Sequence, residues 1–513
     1  MNKLALLLII SILLFGHSAS TQNVTITPSG ITPALSGTYP RISYDDMLAL
    51  PIPQTGDIAY DLTFMCLRVY NGTKWVCTYQ NPADNSPNIT AIITAGGTSV
   101  DASKSIAVDN DGNIFITGEF RETTNFETTS ITSAGNSDIF VAKYNSSGIL
   151  QWVQNAGGVS YDFSNDIAID TDGNVFITGS FQGTASFGTV SKTSTGSNDT
   201  FLAKYNSSGI LQWVQTAGGT SNDTSMGVTV DYDGNVLITG NFQRTASFGT
   251  VSKTSNGYND IFVAKYSSSG ILQWVQTAGG ISYDGSSDIA VDTDGNVFIT
   301  GSFQGTASFG TISRTSAGDN DMFVAKYDPV SISWSWVQTA GGGSVDIGDN
   351  IVVDAVGDVF ITGNFQGTAN FGTISRTSNG YNDTFVIRYS GSGTLQWVQT
   401  AGGTSPYFGN IAVDINGNVF ITGGFIGTAK FGAISKTSLG FYHDIFVAKY
   451  NSFGSLQWIQ TAAGPSNDYS DGIAVDSNGN IFITGYFQET TKFGPISKTS
   501  VGSTDIFVAR VQE

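Results

Sequence analysis

One sequence unit recurs along most of this chain, and that repetition constrains the fold more than any other feature. The glycine of a D-x-D-G-N-like turn returns at Gly112, Gly173, Gly234, Gly295, Gly357, Gly417 and Gly479, every 60–62 residues. "DIAIDTDGNVFITGSF" at 167–182 is nearly copied by "DIAVDTDGNVFITGSF" at 288–303. A fixed period of this length is the signature of an array in which each unit buries its apolar surface against its neighbours. Each unit reads as four strands. "DIAVD" is strand A, "NVFITG" strand B, "DTFLAKY" or "DIFVAKY" strand C and "LQWVQTAG" strand D. A Ser/Thr/Gly-rich stretch such as "FQGTASFGTVSKTSTGSN" separates B from C. Strands A to C are apolar on both faces, as expected when neighbouring sheets cover both sides.

Four strands repeated seven times predict an all-β, seven-bladed β-propeller over residues 89–513. The array opens on "AIITAGG" (91–97), which aligns with the D-strand "WVQTAGG" (213–219), and it stops on a C strand, "DIFVARVQE" (505–513). Each end carries what the other lacks. The expectation is that the N-terminal strand completes the last blade, closes the ring and removes its open edges. Trp152, Trp213, Trp274, Trp336, Trp397 and Trp458 hold one D position, with Ala91 in the closing strand. Their spacing predicts packing between blades rather than an exposed row for carbohydrate stacking.

The units resemble the bacterial seven-bladed beta-propeller (SBBP) repeat family, through "GG…D", "IAVDTDGNVFITG", "D-x-FVAKY" and "G-x-LQW". That resemblance implies an exported bacterial propeller and no catalytic residues. Other members often carry Pro after the Phe of the B–C stretch. Here Gly is usual, as in Phe187-Gly188.

Before the repeats, "MNKLALLLIISILLFGHSAS" has the pattern of a signal peptide, with Lys3, an apolar run over 4–15 and small residues at 18–20. The expected mature chain starts near Thr21, is secreted or held at the cell surface, and has no transmembrane segment. Residues 21–80 read as a small β region. Asn71-Gly72 predicts a two-residue hairpin turn, which would set Cys66 opposite Cys77 and permit a disulfide. Residues 81–88 read as a linker.

Charge excludes some partners. Lys and Arg total 22 against 41 Asp and Glu, a net −19, so nucleic acid and anionic membranes are disfavoured. The D-x-D-G-N turn resembles a calcium loop in its first positions. The bidentate Glu due at position 12 is replaced by Phe in every unit, as at Phe181. An Asx-type turn with Gly173 at φ > 0 explains Asp170 better, with weak Ca²⁺ binding at some loops as the alternative. No other cofactor and no metal site is expected.

Four residues past the Gly-Gly pair stand Asp101, Asp162, Asp223, Asp284, Asp346 and Asp468, with Tyr407 breaking the series. D–A and B–C connections share one end of an up-and-down blade, so these residues are the candidate ligand face, alternatively turn caps. Asp138, Asp199, Asp260, Asp321, Asp383, Asp444 and Asp505 open the C strands and read as structural. Lys143, Lys204, Lys265, Lys326, Lys449, Arg388 and Arg510 share one C position, as ion-pair partners or as solvated charges. A hydrolase needs a nucleophile with its base, paired carboxylates or a metal. Of two histidines, His17 lies in the leader and His443 stands alone in "FYHD". The functional expectation is a non-catalytic, monomeric binding scaffold for a protein or glycan. The alternatives are a structural envelope component and, third, an extracellular hydrolase or lyase using face aspartates. "DPVSISWSW" (328–336), "SPYFGN" (405–410) and "FYHD" (441–444) depart most from the consensus.

Overall fold

In this computed structural model, residues 87–513 are described continuously, apart from the side chains of 404–408. Before them only short strands are described. The chain divides into two compact units, Met1–Asn85 and Ser86–Glu513. The signal-peptide reading falls outside the described residues.

In the first unit Val24–Thr27 pairs with Gly30–Pro33, and Arg41–Ile42 runs parallel to Ile58–Asp61. Cys66–Tyr70 pairs with both Ile58–Asp61 and Trp75–Cys77. The register corrects the expected hairpin. Tyr70 faces Trp75, so Arg68, not Cys66, lies opposite Cys77, and Cys66 lies opposite Asp61. Four residues rather than two separate the paired positions, and a shift of two along one strand removes the directly facing cysteines on which the disulfide rested.

The second unit is all β among its described residues. Unit two shows the pattern. Strand A (Asp162–Ile169) pairs with B (Val175–Phe187), B with C (Val190–Tyr205), and C with D (Leu211–Gly219), all antiparallel. In unit one the strands are Asp101–Val108, Ile114–Phe120, Asp138–Tyr144 and Leu150–Gly158. Unit seven has Tyr469–Val475, Ile481–Phe487 and Asp505–Gln512, and its outer partner is Asn88–Gly97. Ile506 faces Ala95, Val508 faces Ile93 and Arg510 faces Ala91.

The B–C stretch is not a loop. Its halves pair as a hairpin, Thr184 with Thr193 through Phe187 with Val190, turned by Gly188 at φ 59°. Alternation explains this: Ala185 and Phe187 point inward, while Thr184 and Ser186 face solvent. The hairpin reaches back to the preceding unit, where Ala185 pairs with Gly158 and Phe187 with Ala156. Successive units are thereby joined into large continuous sheets. The Gly-Gly pair is required here. A Cβ on Gly157 would collide with the Asp138 carboxylate, and one on Gly158 with the Thr184 carbonyl.

Strands B and C are buried on both faces, as in "IFITGEF" and "DIFVAKY" of unit one. Seven apolar clusters hold the described residues together, each spanning two units. Phe176 and Leu202 of unit two pack with Val236 and Ile238 of unit three. Ile506 and Val508 of unit seven pack with Ile114 and Ile116 of unit one. Each A strand lies against the next, and Tyr469–Val475 lies against Asp101–Val108. Phe507, fully buried in unit seven, has an edge to fill: Phe507→Ala is expected to cost about 3–5 kcal/mol in a denaturant titration.

Candidate functional site

The end of the sheets where D leads to A and B leads to C carries one buried carboxylate in six of the seven units. Asp162 is fully buried. Its Oδ2 accepts the Gly158 N–H at 2.7 Å and its Oδ1 the Gln182 N–H at 3.1 Å. Asp223 accepts from Gly219 and Gln243, Asp284 from Gly280 and Gln304, and Asp346 from Gly342 and Gln366. Asp101 accepts from Gly97 and from the Thr124 hydroxyl, and Asp468 accepts from Gln488 and the Thr491 hydroxyl. The D–A turn and the start of the hairpin arm are thus tied to one side chain. Sequence reasoning offered these acids as a ligand face or as turn caps. The structure brings all six to that end but turns them inward, because the Gly-Gly turn leaves inward N–H groups that must be satisfied. Tyr407 pairs through its backbone with Gly424, and its side chain lies outside the described residues.

Burial raises the six carboxyls, to about 6 for Asp101, Asp162, Asp223 and Asp284 and to about 7 for Asp346 and Asp468. The C-strand acids reinforce this: Asp138 raises Asp162 and Asp199 raises Asp223. Asp138 is itself buried and accepts the Ala134 N–H at 2.9 Å.

At the opposite end, Asp170 closes the A–B turn. Its Oδ1 accepts the N–H groups of Asp172 and Asn174, and its Oδ2 accepts from Asn174 Nδ2 at 2.7 Å. Gly173 has φ 75°. The same pattern recurs at Asp109, Asp292, Asp414 and Asp476. Among the described residues no group of three or more His, Cys, Asp or Glu is placed to hold a metal ion.

Aromatic side chains occupy the exposed part of the face that the acids leave. Tyr258, two residues before Asp260 in unit three, stacks on Tyr283 of the following D–A turn, with ring centroids 4.8 Å apart and planes 14° apart. Both are about half exposed (54% and 51%). Tyr161 stacks on Phe163 at 6.0 Å, with the Arg121 guanidinium 5.7 Å from its ring. Tyr381 and Tyr442 stand exposed at positions equivalent to Tyr258. His443 lies 4.5 Å from the Tyr469 ring, which lies 5.3 Å from Tyr486. Burial lowers the His443 imidazole below its ordinary value. Sequence reasoning flagged "FYHD" but missed Tyr161, Tyr258, Tyr283 and Tyr381. Comparing the residues two before each C-strand aspartate, where other units carry Asn136, Ser197 or Ser503, would have exposed Tyr258 and Tyr381.

Residues 151–180 and 457–486 match the SBBP family profile, described as a beta-propeller repeat. The chain carries SBBP beta-propeller repeats. Among curated proteins it is similar to an uncharacterized WD repeat-containing protein, L264, of Acanthamoeba polyphaga mimivirus, with 25% identity over 436 residues. It is also similar to the regulatory protein FlaEY of Caulobacter vibrioides, with 24% identity over 418 residues. These alignments take in 75% and 74% of this chain but only 28% and 42% of the relatives. Among solved structures, the WD40 beta propeller domain of Doa1 aligns over 82% of this chain and 96% of its own, with 13% identity and a TM-score of 0.42.

Two outcomes follow for the buried carboxylates. Asp223→Ala strands two inward N–H groups, so it should lower unfolding free energy by about 2–3 kcal/mol, whereas the exposed turn residue Asp233→Ala should cost less than about 0.5 kcal/mol; urea titrations compare them. The six raised carboxyls hold their protons more tightly folded than unfolded. Their stabilisation is complete below the ordinary aspartate range and is lost as pH rises through about 6 to 7. The Tm measured at about pH 5 should therefore exceed that at about pH 8.

Proposed function

We propose that this chain is an exported, non-catalytic, seven-bladed propeller that binds a protein or glycan through the end bearing the D–A turns and hairpin roots. The observation that carries the binding reading is the half-exposed Tyr258–Tyr283 stack, its ring planes nearly parallel, on that end. Half-exposed stacked rings offer apolar area at low conformational cost and suit both sugar rings and protein side chains. Tyr161, Tyr381 and Tyr442 repeat the chemistry in other units. Closure into one ring is supported by the pairing of 88–97 with 505–512, and by a seventh apolar cluster joining unit seven to unit one. The relative whose name carries "WD repeat" fits a scaffold role. Export rests on the leader-like residues 1–20.

The test is a glycan array and a protein array probed with the natural chain and with a Tyr258→Ala/Tyr283→Ala variant. The ligand found by the natural chain should bind the variant about tenfold or more weakly, with Tm unchanged. Full binding by the folded double variant would remove this face as the site. Expressed with its leader in a bacterial host, the exported product should begin near Thr21 by mass spectrometry; retention of residues 1–20 would overturn export by cleavage.

A further inference from the structure

In four junctions an indole closes the gap between neighbouring units in one way, and in a fifth it does so with a side-chain acceptor. Trp152, on strand D of unit one, covers Gly209 in the C–D turn of unit two, and its Nε1 donates to the Ser207 carbonyl at 3.1 Å. Trp213 donates to Ser268, Trp336 to Gly391 and Trp397 to Ser452, at 3.1–3.2 Å. Trp458 donates to the Glu513 carboxylate at 2.7 Å. The basic residue facing each Trp on strand C reaches the same acceptor: Lys143 to Ser207, Lys204 to Ser268, Lys326 to Gly391, Arg388 to Ser452 and Lys449 to Glu513. At the remaining Trp position, Trp274 packs on Tyr327 at 5.3 Å beside the divergent "DPVSIS" turn.

The junction between units seven and one breaks this pattern. There Ala91 faces Arg510, where Trp152 faces Lys143. Gly148, equivalent to Gly209, is half-buried, while Gly209, Gly270, Gly393 and Gly454 are buried. Arg510 turns its Nη2 to Asn480 at 2.6 Å, and its Nε is buried without a hydrogen-bond partner among the described residues. Neither donor of the other junctions serves the Ser146 carbonyl. A cavity of about 440 Å³ opens at this place, lined by Ala91, Ile93, Phe482 and Arg510, with Lys498 and Glu127 also on its wall. That volume lies in the range of small-molecule sites.

The geometry points to a binding slot for a small indole carboxylate at this junction. The indole is argued from the five rings that fill the equivalent space. Its N–H has the Ser146 carbonyl as acceptor, and its faces have Ile93 and Phe482. The carboxylate is argued from the unpartnered Arg510 Nε and the ammonium of Lys498, which outweigh the single charge of Glu127. The slot lies apart from the tyrosine-bearing end and does not depend on binding there.

Isothermal titration of the full chain with indole-3-acetate tests it. Saturable binding is expected, with Ala91→Trp reducing affinity about tenfold or more while Tm is kept or raised. Ala91→Met serves as a smaller plug should the Trp variant fail to fold. Arg510→Gln should weaken indole-3-acetate about tenfold and leave unsubstituted indole unaffected. Absence of binding to the natural chain overturns the proposal, as does binding that survives a plug in a folded protein. Tighter binding of N-acetyltryptophanamide than of indole-3-acetate overturns the carboxylate and assigns the slot to a tryptophan side chain of a partner polypeptide.

Discussion

Five of the seven units in this array are pinned by a carboxylate that accepts N–H groups from two separate pieces of chain. Asp162 holds the inward N–H of Gly158 at the end of one strand D and that of Gln182 at the root of the following hairpin. Without it, the close approach of the Gly-Gly turn to the Thr184 backbone would bury unsatisfied donors. The two glycines and the acid are one device. The glycines allow the hairpin to lie against the preceding unit, and the acid satisfies what that approach desolvates. Charge that looked available for a ligand is consumed in holding the fold, and the exposed chemistry of the same end passes to tyrosines.

Much of the architecture was legible because it repeats. The strands, their order and the pairing of 91–95 with 506–510 follow from alternation, period and the complementary ends of the array. The hairpin was not read, because Ser, Thr and Gly in "GTASFGTVSKTS" suggest a loop by composition. The inward Ala185 and Phe187 carried the period-two signal that composition hid. The direction of the aspartate series was also out of reach. Spacing fixed its end of the sheet, but whether a carboxylate faces solvent or an inward N–H is decided by the turn geometry. Cys66 and Cys77 illustrate a different limit, since hairpin register moves by two residues when the connection lengthens from two to four.

Departures from the repeat carry the individuality of the molecule. Identical turns such as Asp170–Asn174 recur because each must reverse the chain in the same way. Tyr258, Tyr381 and Tyr442 occupy a position where the other units have Asn136, Ser197, Asp319 and Ser503. Ala91 is the opposite case, a small residue where the units otherwise use the largest.

The strand at 88–97 has its partner more than 400 residues downstream, at 505–512. During synthesis, its isoleucines must therefore remain without that partner until residues 505–512 have left the ribosome. A chain interrupted before residue 505 would leave both 88–97 and Ile481–Phe487 without the strand that lies between them.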